Sequence, residues 1–327
     1  MFRSSMLVSC CLAMLLVLGC EKKESSSSGG GPGEKKYRIA VIPKGTTHVF
    51  WKSVEAGAKQ AGAELGVDVI WKGPLTENDA SQQIGLVEQF TSEGVSGIVV
   101  APLDANQLRR PIQAAMARKI PVVIFDSALN GEAGKDFVSF VATDNTRGGK
   151  LGGEELVRLL GGKGKVVLLR YNVGSASTEQ REKGFLDVMA GSPGITLIEK
   201  DRYGGATVGE AQKNAENLLD KLKETDGIFC PNESSTLGML NVLKANGLAG
   251  KKKFVGFDGT PALISALKAG EIQALVVQNP VKMGYEGVKT MAAYLQGKEV
   301  PPSVDTGCKL VTLENLETPE VKAMLGQ

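Results

Sequence analysis

The chain has 327 residues, with 38 Lys and Arg against 36 Asp and Glu and a net charge of +2. Both signs are mixed along its length, so no basic stripe argues for nucleic acid, and no apolar run after the N-terminal one reaches transmembrane length. Its one histidine, His48, rules out a multi-histidine metal site and leaves a Ser-His-Asp triad a single possible base.

The first element is a leader. Arg3 gives a positive start, and Met6 to Leu18 is an apolar stretch of 13 residues, too short to span a bilayer comfortably. Gly19 then stands directly before Cys20. This ending resembles a bacterial lipoprotein signal, which implies cleavage after residue 19, lipidation of the Cys20 sulfur and export to an anchored position on a membrane. Residues 20–36, rich in Ser and Gly, cannot bury apolar area and read as a flexible tether. Cys10 and Cys11 leave with the signal. Export permits a disulfide between the remaining Cys230 and Cys308, but lone cysteines in apolar-flanked strands read as buried thiols.

From Tyr37 about 290 residues remain to fold, more than one core usually serves, and two lobes are expected. Residues 37–42 form a strand, followed by a helix in which Phe50, Val54, Ala58, Ala61 and Leu65 recur at helical spacing. Val67 to Trp71 is the next strand, and Ile84, Val87 and Phe90 mark the next helix. Ile98 to Ala101 and Val122 to Phe125 are continuous apolar runs, as in strands covered on both faces of a parallel sheet. Further runs cover 166–169, 196–198, 227–230, 254–257 and 274–277, interleaved with helices over 180–189, 211–222, 236–246, 262–269 and 283–295. This alternation predicts an α/β fold of two doubly wound parallel-sheet lobes.

A loose repeat supports the two lobes. Gly97 opens a strand and Asp126 ends the next one, 29 residues on; Gly227 and Asp258 do the same at 31. Ligands of such sheets bind at the carboxyl ends of strands, where this chain collects amide, carboxylate and aromatic side chains. Amides and carboxylates bond hydroxyls in pairs and aromatic faces pack on C–H surfaces, so the set suits a polyhydroxylated ligand. No nucleophile motif, P-loop or metal cluster appears, so neither an enzyme nor a cofactor is expected.

The segments Ile39 to Gly57, Asp126, Asp144-Asn145, Gly148-Gly149, Arg181 to Phe185, Asn232, Gly256 to Pro261 and Gln278 to Pro280 fall in that order. Together they resemble the type I periplasmic sugar-binding proteins, within these the ribose-binding branch, from about Tyr37 to Val311. The resemblance implies two lobes joined by three hinge crossings, one at Asp144-Asn145, one near Gln278 and one close to Thr306-Gly307. One lobe would comprise 37–143 plus 279–306, the other 144–278 plus 307–327. It implies a periplasmic, monomeric protein that captures a monosaccharide or related polyol and delivers it to the permease of an ABC importer. Phe50 and Trp51 would be the aromatics of the first lobe and Asp126 its hydroxyl acceptor. Asn232, Phe257, Asp258 and Gln278 would contribute from the other side and the hinge.

Four further positions are expected at the site because they depart from the ribose pattern. Lys44 replaces a small hydroxyl residue, His48 an asparagine, and Ser127 and Glu179 an arginine each, while Arg181 remains two positions on. A single ammonium in place of a guanidinium fork changes which hydroxyl pair is read, so ribose itself is not the expected ligand. Lys44 would meet a ligand carboxylate or pair with Glu179 or Asp126. A repressor of this architecture needs a DNA-binding headpiece where this chain carries a leader and tether. A receptor presenting its sugar to a membrane sensor remains the alternative to transport.

Overall fold

The computed structural model describes residues 36–326; the leader, Cys20 and the tether up to residue 35 lie outside the described residues. The first half of the chain runs β1 (Arg38–Ile42), α1 (Val49–Leu65), β2 (Asp68–Trp71), α2 (Ala80–Glu93), β3 (Gly97–Val100), α3 (Arg109–Ala117), β4 (Val122–Phe125), β5 (Ser139–Ala142), α4 (Asn145–Leu159), β6 (Gly164–Leu168) and α5 (Ala176–Ala190). The second half continues β7 (Ile195–Glu199), α6 (Val208–Glu216), α7 (Leu219–Glu224), β8 (Gly227–Phe229), α8 (Glu233–Ala245), β9 (Lys253–Phe257), α9 (Pro261–Lys268), β10 (Ala274–Gln278), α10 (Pro280–Leu295), β11 (Ser303–Asp305), β12 (Cys308–Val311) and α11 (Pro319–Met324).

The strands form two six-stranded sheets, ordered β11-β5-β4-β3-β1-β2 and β12-β10-β9-β8-β6-β7. Every pairing is parallel except β12 against β10. The apolar runs explain the central strands: β3, β4, β8, β9 and β10 are buried almost throughout because helices cover both faces. Each sheet therefore has two apolar layers, one per face. This is the two-lobe α/β arrangement expected from the alternation. The chain passes between the sheets three times: after β5, after β10, and between β11 and β12. The repeat is real in space, since β3 and β8 hold equivalent places in the two orders, as do β4 and β9.

Several elements went unread in the sequence. The helix α4 carries Gly148, Gly149, Gly152 and Gly153, and glycine costs a helix about 1 kcal/mol per residue relative to alanine. Packing requires them: a side chain at Gly149 would run into the carbonyl of Arg181 on α5. The close approach lets α5 hold Arg181 against the cleft. The single helix predicted over 211–222 is two, because the Leu218 N–H bonds back three residues to Ala215, at 2.9 Å, rather than four. The short strands β5 and β11 were also missed; neither has an apolar run long enough to announce it. Cys230 and Cys308 are both free thiols, Cys230 fully buried.

Candidate functional site

The carboxyl ends of the strands in both sheets face one cleft, and a cavity of about 30 Å³ lies between them. From the first lobe Lys44, His48, Phe50, Trp51 and Asp126 line it; from the second come Arg181, Asn232, Asp258 and Gln278. Nine of the twelve expected residues therefore meet there.

Asp126 and Asp258 follow the last residues of β4 and β9 with φ of 59° and 74°, the left-handed region that turns the chain sharply. Each backbone N–H bonds a carbonyl of the neighbouring strand, Val141 and Val276 respectively. Their side chains differ. Asp258 accepts Gln278 Nε2 at 2.8 Å on one oxygen and the Glu233 N–H at 2.8 Å on the other. The Asp126 carboxylate accepts no hydrogen bond among the described residues and pairs with Lys44 Nζ at 3.7 Å. Burial pushes both carboxyls above the usual range, against the pull of Lys44 and Arg181 at Asp126 and of Arg181 at Asp258.

The remaining cationic and amide groups are tied down on most sides. Lys44 Nζ donates to the hydroxyls of Ser175 and Ser177, both at 3.0 Å, across the cleft. Arg181 lies over the Phe257 ring at 4.0 Å and donates to Asn145 Oδ1 and the Pro231 carbonyl, which leaves Nη2 for the cavity. Burial lowers its pKa, and Asp258 and Asp126 oppose that shift. Asn232 lines the cavity, yet its oxygen is spent capping α8 through Ser235, at 3.2 Å. Gln278 bridges Asp258 to Thr143 Oγ1, at 2.9 Å, where the chain first leaves the first lobe.

Three expected residues lie outside the lining. Phe257 is fully buried beneath Arg181 and reaches the cleft only through it. Ser127 is fully buried, and its hydroxyl accepts the Ser177 N–H at 3.1 Å. Glu179 turns back to accept the Gly174 N–H at 2.7 Å, holding its own loop, and so it does not pair with Lys44.

Five lining residues were not among the twelve: Glu77, Tyr171, Ser177, Thr178 and Glu233. Glu77, from the loop after β2, accepts His48 Nδ1 at 2.7 Å, Trp51 Nε1 at 2.7 Å and the Tyr171 hydroxyl at 2.8 Å. Burial opposes its charge, but His48, Lys44 and Trp51 hold it down to about 2. Burial likewise opposes the imidazolium of His48, yet Glu77, with Glu233 and Asp258 behind it, pushes the pKa up to about 9. Glu233 accepts the N–H groups of Val49 and Phe50 at 3.1 and 3.0 Å. His48, the N-cap of α1, makes no side-chain cap bond, so the opposite lobe caps this helix with an anion at its positive end. Glu233 follows Asn232 at a strand end, which is a signal of a kind; Glu77 sits in no motif.

The contacts across the cleft, Lys44 to the two serines, Glu233 to α1 and Tyr171 to Glu77, describe two lobes drawn together over a polar chamber. Known proteins share the fold. The family profile of the periplasmic binding protein domain matches residues 39–299. The D-allose-binding periplasmic protein of Escherichia coli (strain K12) is 30% identical, over 83% of this chain and 89% of that one. The ribose import binding protein of Salmonella typhimurium is 28% identical, over 84% and 90%. A carbohydrate transporter solute-binding protein from Agrobacterium radiobacter, solved with D-arabinose, superposes with a TM-score of 0.85 at 33% identity, covering 90% of this chain and all of the other. By fold, by the convergence of its strand ends on one polar chamber and by sequence, the chain belongs to the periplasmic binding protein family.

Proposed function

We propose that this protein is an extracytoplasmic solute-binding lipoprotein that captures a monosaccharide or related polyol between its lobes and passes it to an ABC importer. The observation that carries the reading is Asp126: a carboxylate 4% exposed, lining the chamber, without a hydrogen-bond donor among the described residues. A buried carboxylate without donors is costly, and two hydroxyls of a ligand would satisfy it. Arg181 Nη2 and the free nitrogen of His48 add donors around it, and Phe50 and Trp51 offer apolar faces for C–H groups. The relatives named for ribose and D-allose, and the structure holding D-arabinose, support the ligand class. With Lys44 in the chamber and both Ser127 and Glu179 turned away from it, the donors are not those of the ribose pattern, and ribose is not the preferred ligand.

A thermal-shift screen of pentoses, hexoses, polyols and sugar acids tests this. Stabilisation by at least one monosaccharide or polyol is expected, and stabilisation only by amino acids or peptides would defeat the reading. The anchor is tested separately. Cys20→Ser, expressed in a bacterium that processes lipoproteins, should release the protein from the membrane fraction, because acyl chains on that cysteine supply the attachment. Unchanged retention would remove Cys20 from the account.

A further inference from the structure

His48 is the chain's single histidine, and its ring lines the chamber. Its Nδ1 is engaged at 2.7 Å by a Glu77 oxygen, and Nε2 has no partner among the described residues. The same Glu77 oxygen accepts Trp51 Nε1, and the other accepts Tyr171 from the facing lobe, so this carboxylate, 9% exposed, has fixed geometry and no freedom to turn away. A carboxylate held by three donors stays ionised and only accepts, so the imidazole nitrogen facing it carries a proton. The other acidic groups facing the ring are Glu233 at the start of α8 and Asp258 after β9, both pushed upward by burial. Lys44, Asp126 and Arg181 line the same chamber, but the ion pair with Glu77 is the direct contact.

We propose that Glu77 is a positioning residue for ligand choice: it keeps His48 doubly protonated, so that Nε2–H is a donor pointed at the ligand. An asparagine there, as in the ribose pattern, offers both an acceptor and donors; an imidazolium only donates. This position therefore selects a ligand oxygen that accepts, such as a ring oxygen, a hydroxyl lone pair or a carboxylate. A hydroxyl that has only its proton to offer here is disfavoured. The ligand side of the inference rests on the sugar-binding reading, whereas the proton side does not.

The single histidine makes the test direct. In the unliganded mature protein, nitrogen-15 NMR of the one imidazole reports both ring nitrogens, and the Glu77–His48 contact itself lies within one lobe. His48 is expected to be doubly protonated at pH 7.5 and to titrate above the ordinary 6.5, toward the value of about 9 reached with Glu233 and Asp258 facing it. In Glu77→Gln it should titrate well below the wild type, because burial then lowers its pKa with only Glu233 and Asp258 opposing. Titration calorimetry then uses the panel compound with the largest thermal shift. At pH 8 Glu77→Gln is expected to bind it at least about tenfold more weakly, recovering toward wild type at about pH 5.5, where its imidazole is protonated again. A His48 that is neutral at pH 7.5 in the wild type, or a Glu77→Gln loss equal at both pH values, would overturn the proposal. Should Glu77→Gln not fold, wild-type titration still decides, and His48→Asn should remove the fall in affinity above pH 9. If no panel compound binds, the sugar reading fails while the NMR result stands by itself.

Discussion

Asp126 and Asp258 occupy the same place in the two lobes, each just past a strand in equivalent sheet position, each at positive φ, each bonding its N–H to the next strand. Their surroundings differ. Both oxygens of Asp258 are already accepting bonds from its own lobe, whereas those of Asp126 accept none among the described residues. The repeated fold sets where a side chain points, and the neighbours brought by other elements decide whether it is left open for a ligand. One aspartate is part of the wall; the other is the opening in it.

The largest effect is expected at the open one. Asn tolerates positive φ, so Asp126→Asn keeps the backbone while removing the double acceptor. Affinity for the best ligand of the screen should fall about 30- to 100-fold, or roughly 2–3 kcal/mol, by calorimetric titration. A change within about threefold would reverse the comparison. Asp258→Asn is expected to show the opposite balance. It leaves one oxygen for two donors, so either the Glu233 N–H or Gln278 Nε2 loses its acceptor, and stability of the unliganded protein in urea should drop by about 1–2 kcal/mol, with affinity falling about tenfold. An affinity loss as large as that of Asp126→Asn, with no loss of stability, would make the two residues equals.

A smaller effect sharpens the wall itself. Glu233→Gln removes the anion that caps α1 from the opposite lobe, which is worth about 1 kcal/mol at a helix N-terminus. The affinity should fall about fivefold, and small-angle scattering should show wild type compacting more than the variant at matched ligand concentration. Equal compaction at equal affinity would show that this contact does not hold the lobes together. The smallest effect is in pH. His48 is raised from 6.5 to about 9, so its contribution is complete below 6.5 and is lost as pH rises through 9. Glu77 is lowered from 4.5 to about 2, so its contribution is present above 4.5 and lost as pH falls through 2. The thermal midpoint of the unliganded protein should therefore drop by a few degrees above pH 9, roughly what 1–2 kcal/mol gives at this size, and less so in His48→Asn. A midpoint equally steep in both would separate the slope from His48.

Much of this was legible because the relevant signals are local. A strand covered on both faces must be apolar throughout, and a helix against a sheet must repeat its apolar residues every three to four positions, so β3, β4, β8, β9 and α1 could be read directly. Asp126 and Asp258 were visible for a related reason: each ends an apolar run and so stands at a strand's carboxyl end. The glycine-rich α4 was hidden because glycine argues against a helix locally, and only its contact with α5 explains the choice.

The partners of Glu77, Tyr171 and Glu233 were not legible, although Tyr171 and Glu233 stand at strand ends. Their partners are 26 to 184 residues away along the chain, and nothing in a single acidic residue states which donor will reach it. The same holds for Phe257, an aromatic at a strand end that reads as a ligand platform until Arg181 is laid across it. By itself the sequence determined the two lobes, their strand ends and the pool of polar groups around one cleft, since burial and periodicity act on neighbouring residues. Which carboxylate stays open, which histidine nitrogen faces the chamber and which lobe caps α1 were decided only by the tertiary structure. Hydrogen bonds and ion pairs depend on distances of a few ångströms between segments that only folding brings together.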